Sequence, residues 1–293
     1  MKVTATDDGT ILHVACIRAG LDPSAATLLH QHATGIWLLP ADQIVARISH
    51  NSDDRDRLTR AVTITRWLAA QGFPVTVPAD VDQPIEVDTA SVTFWRYYPQ
   101  DDRPTPSAAA LGRLLRQLHG LPQPPVSLDD YVPLARLGSA LASNPPLAGD
   151  DLAWLVERRV SIIAEYRRLH SQLGVGWIHG DAYPGNTLWD GEQVILGDWD
   201  EVARGPRELD LISTHQGLRM GRSDAERRAF TDAYGWDVTA WTGFPVLRQM
   251  RDLHTLGAYI DRAGRGDSIA LDELSHRIRT LRTDDSTARW NSH

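Results

Sequence analysis

The octapeptide HGDAYPGN, residues 179–186, is the stretch that decides how the rest of this sequence is interpreted. Its polar side chains are a histidine at position 179, a carboxylate two residues later at Asp181, and an amide at Asn186. Taken alone, such a stretch is compatible with an ordinary turn in which the aspartate caps neighbouring backbone N–H groups. Its interpretation therefore depends on the sequence that flanks it.

A β-hairpin is predicted immediately downstream of the octapeptide. The residues around Trp189 and the run VILGDW at 194–199 have the composition of two short strands, and Asp190-Gly191 between them favours a tight turn. Antiparallel pairing brings the end of the second strand back beside the start of the first. We therefore expect Asp198 to lie close to Asn186.

These residues fit one kind of chemistry. Amide and carboxylate oxygens are ligands that Mg²⁺ prefers, and protein-bound Mg²⁺ is often shared with the phosphates of a substrate. With Asn186 and Asp198 as metal ligands, Asp181 is available to accept a proton from an attacking hydroxyl group. Phosphoryl transfer needs mainly positioning and charge neutralisation from the protein. The sequence therefore predicts a Mg²⁺-dependent phosphotransferase with an alcohol group as acceptor.

Composition excludes several other classes of function. The single cysteine, Cys16, cannot form a disulfide framework or a zinc site of several thiolates. A formal net charge of −8 argues against general nucleic-acid binding and favours a small-molecule partner. No apolar run approaches the roughly 18 residues of a membrane span, and the N-terminus lacks the apolar region of a signal peptide. We expect a soluble, cytoplasmic protein without a membrane or nucleic-acid partner.

The first third of the chain has mixed patterns. Strand-like runs occur at 35–40, 43–49 and 90–98, and the first two are expected to form a hairpin. One strong helical pattern covers residues 53–72. The proline-rich segment PQDDRPTP at 99–106 then predicts a linker. We assign residues 1–98 to a small α+β domain.

The remaining residues, 99–293, are predicted to be mainly helical. Thr105 and Pro106 are expected to begin a helix with a leucine-rich face. A second long helix is expected over residues 151–174, a third begins at the capping box of Ser223, and a last one carries apolar residues at helical spacing. The fold class is therefore α+β, with the hairpin downstream of HGDAYPGN as the main exception within the helical domain.

The pattern H-G-D-x-x-x-x-N followed by D-x-D resembles the signature of the aminoglycoside phosphotransferase family, a branch of the protein-kinase-like fold. The further segments that share this resemblance are RWLAAQGFPV, VTFWRYYP, LGRLLRQLHGLP and GPRELDL. The resemblance implies a bilobal fold, with residues 1–98 as a nucleotide-binding lobe and 99–293 as a lobe that carries the catalytic and metal loops and the acceptor site. It implies transfer of the γ-phosphate of ATP or GTP, with Mg²⁺, to a hydroxyl of an aminoglycoside, sugar or similar metabolite.

The resemblance also implies roles for individual residues. Asp181 is the catalytic base, Asn186 and Asp198 bind the metal, His179 supports the loop, and Asp200 contacts the substrate or lies behind the metal ligands. The residues implied for nucleotide binding lie on a strand from Phe94 to Tyr98 and on a loop from His30 to Thr34, and they are Phe94, Arg96, Tyr97 and Thr34.

Two positions depart from the family pattern. Arg47 in IVARI stands where the family often has a phosphate-binding lysine, and its guanidinium keeps the charge and can bind phosphate in a bidentate manner. The helix glutamate that usually pairs with that lysine is absent from Ala61–Thr63. Asp53, Asp54 and Asp56 lie a few turns earlier as possible replacements.

Two other functions stay open at this stage. The absent helix glutamate makes a catalytically weak or inactive nucleotide-binding relative an alternative. The order GD, GN, GD suggests a two-metal phosphoesterase, although such sites use several bridging His or carboxylate ligands.

Overall fold

The computed structural model describes residues 7–31, 35–50, 55–100 and 102–291. These residues form two compact units. Unit 1 comprises residues 1–106, 122–127 and 185–202, and unit 2 comprises residues 107–121, 128–184 and 203–293. Three stretches of unit 1, residues 99–106, 122–127 and 185–202, thus follow residue 98 in the chain. The domain division at residue 98 stays a prediction.

Unit 1 is built on a five-stranded antiparallel sheet. Its strands are β1 (Thr27–Gln31), β2 (Gly35–Leu39), β3 (Ile44–Ser49), β4 (Ile85–Val87) and β5 (Ala90–Arg96), and they lie in the order β1-β2-β3-β5-β4. The pairing of β2 with β3 confirms the predicted hairpin. β3 lies at the centre of the sheet, where Ala46 and Ile48 are buried and Arg47 points to the opposite face.

Two helices accompany this sheet. Helix α2 (Arg55–Ala70) confirms the predicted helical run over the described residues, and Gly72 follows it with φ of +71°. Helix α1 (Asp8–Ala19) was missed by the sequence analysis. The signals that could have found it are Asp7, whose side chain accepts from Thr10 N, and Gly20 in the left-handed conformation.

The hairpin that follows HGDAYPGN also belongs to unit 1. Strands β7 (Thr187–Asp190) and β8 (Gln193–Leu196) confirm the prediction, but the two-residue loop is Gly191-Glu192 rather than Asp190-Gly191. Asp190 still pairs with Gln193, and Gly191 takes the left-handed conformation that the turn requires.

The predicted linker, residues 99–106, contacts this hairpin through Trp189. The indole N–H of Trp189 donates to the carbonyl oxygen of Pro104 at 2.9 Å, and the guanidinium of Arg103 lies 4.1 Å from the centre of the Trp189 ring. Gln100 accepts from the backbone N–H of Trp189 at 2.9 Å. These contacts explain why residues 99–106 are grouped with unit 1.

Unit 2 is mainly helical. A two-stranded ribbon joins β6 (Val175–Ile178) to β9 (Ala203–Pro206). The helices are α3 (Ala108–Gly120), α4 (Ala135–Ala142), α5 (Gly149–Tyr166), α6 (Leu209–His215), α7 (Asp224–Tyr234), α8 (Phe244–His254), α9 (Leu256–Gly264) and α10 (Ser268–Arg282). Within the described residues, no helix has both the length and the apolarity that a membrane crossing needs.

Two helix ends in unit 2 differ from the sequence prediction. Helix α3 begins after Ser107, whose side chain accepts from Ala110 N, and not at Thr105 and Pro106. Helix α5 ends at Tyr166 rather than at residue 174. Beyond this end, the carboxylate of Glu208 accepts from the backbone N–H groups of Gln172 and Leu173 at 2.6 and 2.9 Å. The capping box of Ser223 is confirmed.

Candidate active site

A cavity of about 360 Å³ lies within unit 1. This volume is in the range of small-molecule binding sites. One part of its lining is aromatic and the other carries charged and amide groups. The aromatic residues are Trp95, Tyr97, Tyr98 and Trp199, and the polar ones include Arg47, Arg96, Gln100, Asn186 and Asp198.

Asn186 and Asp198, the expected metal ligands, both line this cavity. The hairpin brings them together, because Gly197 N donates to the carbonyl oxygen of Asn186 at 2.8 Å. Asp198 follows β8 in the left-handed conformation, with φ of 59° and ψ of 65°. Its side chain is 45% exposed, so the carboxylate is accessible from the cavity. One amide and one carboxylate oxygen fit a magnesium ion that takes its other ligands from phosphates and water.

Arg47 lies in the same cavity and is held by two carboxylates. Its Nη2 lies 2.8 Å from Asp200 Oδ2 and 3.3 Å from Asp198 Oδ1. Burial alone lowers the pKa of Arg47, but the charges and hydrogen bonds of Asp200 and Asp198 outweigh burial and raise this pKa above its ordinary value. Arg47 is therefore a permanent cation at the expected position of the phosphate-binding lysine.

Helix α2 reaches the Asp200 segment through Arg57. Arg57 Nη1 lies 3.8 Å from Asp200 Oδ2 and 3.4 Å from Glu201 Oε1. Asp56 is exposed and forms no described ion pair with Arg47, while Asp53 and Asp54 lie outside the described residues. The acid that pairs with Arg47 thus comes from the segment after β8, and α2 contributes a cation, Arg57, about one turn before the positions of the family glutamate.

Some of the expected nucleotide-binding residues line the cavity and others do not. Arg96 and Tyr97 line the cavity. Phe94 does not: its ring is buried in the core of unit 1, its N–H donates to Gln83 Oε1 at 2.7 Å, and its carbonyl oxygen accepts from Ala79 N. Thr34 lies outside the described residues.

The expected catalytic loop lies in unit 2 and is anchored by a buried aspartate. Asp210 on α6 accepts from the backbone N–H groups of His179 and Gly180, both at 2.8 Å. His119 Nε2 lies 3.1 Å from the same carboxylate. The loop also has internal support, because Asp181 N lies 3.4 Å from His179 Nδ1. Gly180 has φ of +86°, a conformation that favours glycine.

The charge of Asp210 is retained despite burial. Burial raises the pKa of this carboxyl, but the hydrogen bond and charge of His119, together with His179, outweigh burial and hold the pKa below its ordinary value. The sequence analysis noted GPRELDL only as a family-like segment and assigned no role to Asp210. Its role depends on contacts with residues about thirty positions earlier in the chain, which local patterns do not reveal.

Arg251 on α8 is a second residue that sequence analysis did not single out. Its Nη1 lies 2.7 Å from Asp181 Oδ1, and the two side chains are 17% and 25% exposed. The expected catalytic carboxylate is therefore paired with a permanent cation.

The family of this chain is shown by comparison with known proteins. A sequence profile of the phosphotransferase enzyme family matches residues 31–251. The chain belongs to this family, which confirms the resemblance drawn from HGDAYPGN and the following D-x-D. Family membership supports a small-molecule kinase. A comparison with curated protein sequences finds no significant match.

Solved structures share the fold at low sequence identity. An amicoumacin kinase in complex with AMP-PNP, Ca²⁺ and Ami superposes with a TM-score of 0.75 at 13% identity, covering 98% of this chain and 96% of that chain. A choline/ethanolamine kinase family protein from Mesorhizobium loti gives 0.63 at 17%, covering 93% and 92%. A spectinomycin phosphotransferase in complex with ADP and spectinomycin gives 0.61 at 16%, covering 94% and 90%. The predicted kinase-like α+β fold is thereby confirmed.

Proposed function

We propose that this protein is a small-molecule O-phosphotransferase that moves the γ-phosphate of ATP or GTP to a hydroxyl group of an aminoglycoside, sugar or similar metabolite. The observation that carries the proposal is the lining of the unit 1 cavity. Two arginines, Arg47 and Arg96, and two oxygen donors, Asn186 and Asp198, share this cavity with a group of aromatic side chains. A guanidinium group binds phosphate directly, and the two oxygen donors can hold a metal ion that binds phosphate. Aromatic rings can stack on a purine.

In unit 1, Arg47 binds nucleotide phosphates, and Asn186 and Asp198 would hold Mg²⁺. An ion held there would supply positive charge that neutralises the phosphates. The cavity lining supports purine contacts by Arg96 and Tyr97. Phe94 does not serve this purpose, because its ring is buried in the core and its backbone N–H and carbonyl groups bind Gln83 and Ala79. A role for Thr34 over the phosphates stays a prediction.

In unit 2, Asp181 accepts the proton of the acceptor's hydroxyl group. The acceptor oxygen forms a bond to phosphorus as the bond from phosphorus to the bridging oxygen breaks, and the nucleoside diphosphate leaves with the bonding electrons. The anchored loop of His179 and Gly180 supports this role, because a base must be held within hydrogen-bond reach of the proton it removes.

A nucleotide-binding relative without transferase activity is the second candidate. The absence of an acid from Ala61–Thr63 favours it, because the family pattern pairs its phosphate-binding cation with a glutamate on that helix. Consumption of ATP or GTP with a hydroxylated compound separates the two candidates. Hydrolysis of p-nitrophenyl phosphate with Mn²⁺ would instead indicate a phosphoesterase.

The experiment is a screen of amino sugars, sugars and amino alcohols for Mg²⁺-dependent consumption of ATP and GTP. Asp181→Asn is expected to lower turnover by at least about 100-fold while nucleotide affinity is kept, because it removes the proton acceptor alone. Asp198→Ala is expected to weaken binding of the magnesium nucleotide by about 10- to 100-fold. Turnover that is unchanged in Asp181→Asn would refute the proposed role of this residue.

A further inference from the structure

We propose that a second cavity, which lies within unit 2, is a binding site for one compact oxyanion of the size of inorganic phosphate. Its volume is about 100 Å³, the room of about three water molecules. Among the described residues, its lining has no member in common with that of the unit 1 cavity. The lining residues on which the inference depends are Arg219, Arg227, Thr239, Arg248, Asp252 and Ser286.

The first argument is the excess of positive charge in this lining. It contains three guanidinium groups, those of Arg219, Arg227 and Arg248, and one carboxylate, that of Asp252. Asp252 is buried, and both of its oxygens already accept hydrogen bonds, Oδ2 from Arg219 Nε and Oδ1 from Gln216 Nε2, each at 2.9 Å. The only acid of the described lining is therefore already engaged by Arg219.

The second argument is that Arg248 is not matched by a carboxylate. Phe244, Arg248 and Asp252 follow at four-residue spacing on α8, so one face of this helix lines the cavity. Burial raises the pKa of Asp252 against the charges of Arg219 and Arg248, but only Arg219 forms an ion pair with it among the described residues. The Nε of Arg248 is buried and has no hydrogen-bond partner within the described part of the chain. A guanidinium that is partly removed from water needs a counter-charge, and an oxyanion supplies one through charge-assisted hydrogen bonds.

The third argument comes from the other donors of the lining. Arg227 pairs with the exposed carboxylate of Asp224 through Nη2, whereas its Nε is buried without a hydrogen-bond partner among the described residues. Thr239 and Ser286 add hydroxyl groups, which can donate to an anion. Ser286 is exposed, so this part of the lining lies at the surface. Two arginines and two hydroxyl groups thus offer donors to one small ligand.

His215 lines the same cavity without adding to its charge. Burial lowers the pKa of this imidazole to about 4, against the charge of Asp237 and with that of Arg227 acting in the same direction. The ring is therefore neutral near pH 7. The positive charge of the lining comes from arginines, which stay charged at every pH of an assay. We therefore expect anion binding to be retained throughout the neutral range.

The test is calorimetric titration of the full-length protein with inorganic phosphate in Tris chloride, and Tm is measured in phosphate and in chloride of equal ionic strength. Arg248→Gln removes one charge from the lining. Its control is Arg228→Gln, which removes the same charge from an exposed position on α7, next to Arg227. Arg47→Met shows whether phosphate binds in the cavity of unit 1 instead.

The parent protein is expected to bind phosphate with a Kd of about 1 mM or lower. At about ten times Kd, phosphate should raise its Tm by about 2–4 °C relative to chloride. Arg248→Gln should weaken binding at least about 10-fold, because a charged hydrogen-bond donor is lost. Arg248→Lys should be intermediate, since it keeps the charge but not the planar fork. Arg228→Gln and Arg47→Met should bind within about twofold of the parent protein, because distant sites act independently.

Any of three results would overturn the inference: a parent protein that responds to phosphate no more than to chloride, full phosphate affinity in Arg248→Gln, or loss of binding in Arg47→Met. If Arg248→Gln is too unstable to titrate, Arg227→Gln takes its place with the same expected loss, and undiminished binding there would contradict the site. The measurement requires no turnover, so its outcome is independent of whether the proposed function is correct.

Discussion

Two aspartates, Asp198 in unit 1 and Asp181 in unit 2, are each paired with an arginine from a distant part of the chain, yet their surroundings differ. Asp198 shares Arg47 with Asp200, and its side chain is 45% exposed. Asp181 has Arg251 at 2.7 Å and is 25% exposed. The first carboxylate is accessible from the cavity of unit 1, and the second is less exposed and has one oxygen buried beside a guanidinium.

The backbones that carry these aspartates are also fixed by different means. Asp198 follows a hairpin whose turn is local, so its position is set by residues close to it in sequence. The loop of Asp181 is fixed by Asp210, about thirty residues later. Removing the distant anchor should therefore damage the Asp181 loop far more than any surface change would, and this is the largest effect we expect.

Asp210→Asn is predicted to lower the free energy of unfolding by about 3–5 kcal/mol, as expected when one partner of a buried charged group is removed. An asparagine side chain has only one acceptor oxygen for the N–H groups of His179 and Gly180. Urea unfolding measures the change. Asp261→Asn is the control, because Asp261 pairs with Arg136 at the surface and should change stability by less than about 1 kcal/mol.

The pH dependence of stability gives an independent check on Asp210. Its pKa in the folded protein lies below the ordinary value of 3.8, so its ionised form stabilises the folded state above that pH. This contribution is lost as the pH falls through the lowered pKa. The free energy of unfolding of the parent protein should therefore decrease more steeply as the pH falls below about 4. Equal acid sensitivity in the parent protein and Asp210→Asn would contradict the assignment.

Arg47→Met is the corresponding test on the unit 1 side, and its main effect should be on binding. It removes the guanidinium from the cavity while keeping most of the volume of the side chain. Loss of charge-assisted hydrogen bonds is expected to weaken nucleotide affinity by about 10- to 100-fold, equivalent to about 1.5–3 kcal/mol. Calorimetric titration with a non-hydrolysable ATP or GTP analogue measures this. Unaltered affinity would mean that Arg47 only neutralises Asp198 and Asp200.

The same contrast explains how much could be predicted from sequence. The hairpin of β7 and β8 and the capping box of Ser223 are decided by neighbouring residues, so local patterns identified them. The end of α5 was placed too late, and the backbone of the segment that follows it is bound by Glu208, some 35 residues later in the chain. The contacts of Asp210 with the loop of His179 and of Arg251 with Asp181 were missed because they too join distant parts of the chain.

Sequence reasoning identified the residues of the candidate site better than it identified the side chains that pair with them. Asn186 and Asp198 do line one cavity, as their spacing around a hairpin led us to expect, and Arg47 lines the same cavity. The missing helix glutamate could not be replaced by inspection of α2, because the acid that holds Arg47 lies after β8. An ion pair between residues about 150 positions apart leaves no periodic signal in either segment.

The smallest predicted effect separates two neighbouring acids, Asp200 and Glu201. Both approach Arg57 of α2, at 3.8 and 3.4 Å. Asp200 also lies 2.8 Å from Arg47, and its side chain is 12% exposed against 55% for Glu201. Asp200→Asn should therefore lower stability by about 1–2 kcal/mol, because it weakens a nearly buried charged hydrogen bond. Glu201→Gln should change stability by less than about 0.5 kcal/mol, as is usual for an exposed pair.

Nucleotide binding sharpens the distinction between these two acids. If Asp200 fixes the direction of Arg47, Asp200→Asn also weakens binding of the magnesium nucleotide several-fold, whereas Glu201→Gln leaves it unchanged. The combination Asp200→Asn with Arg47→Met should then bind no more weakly than Arg47→Met alone, because the positioning residue has nothing left to position. Additive losses in the double variant would show that Asp200 acts on the nucleotide or the metal ion directly and not through Arg47.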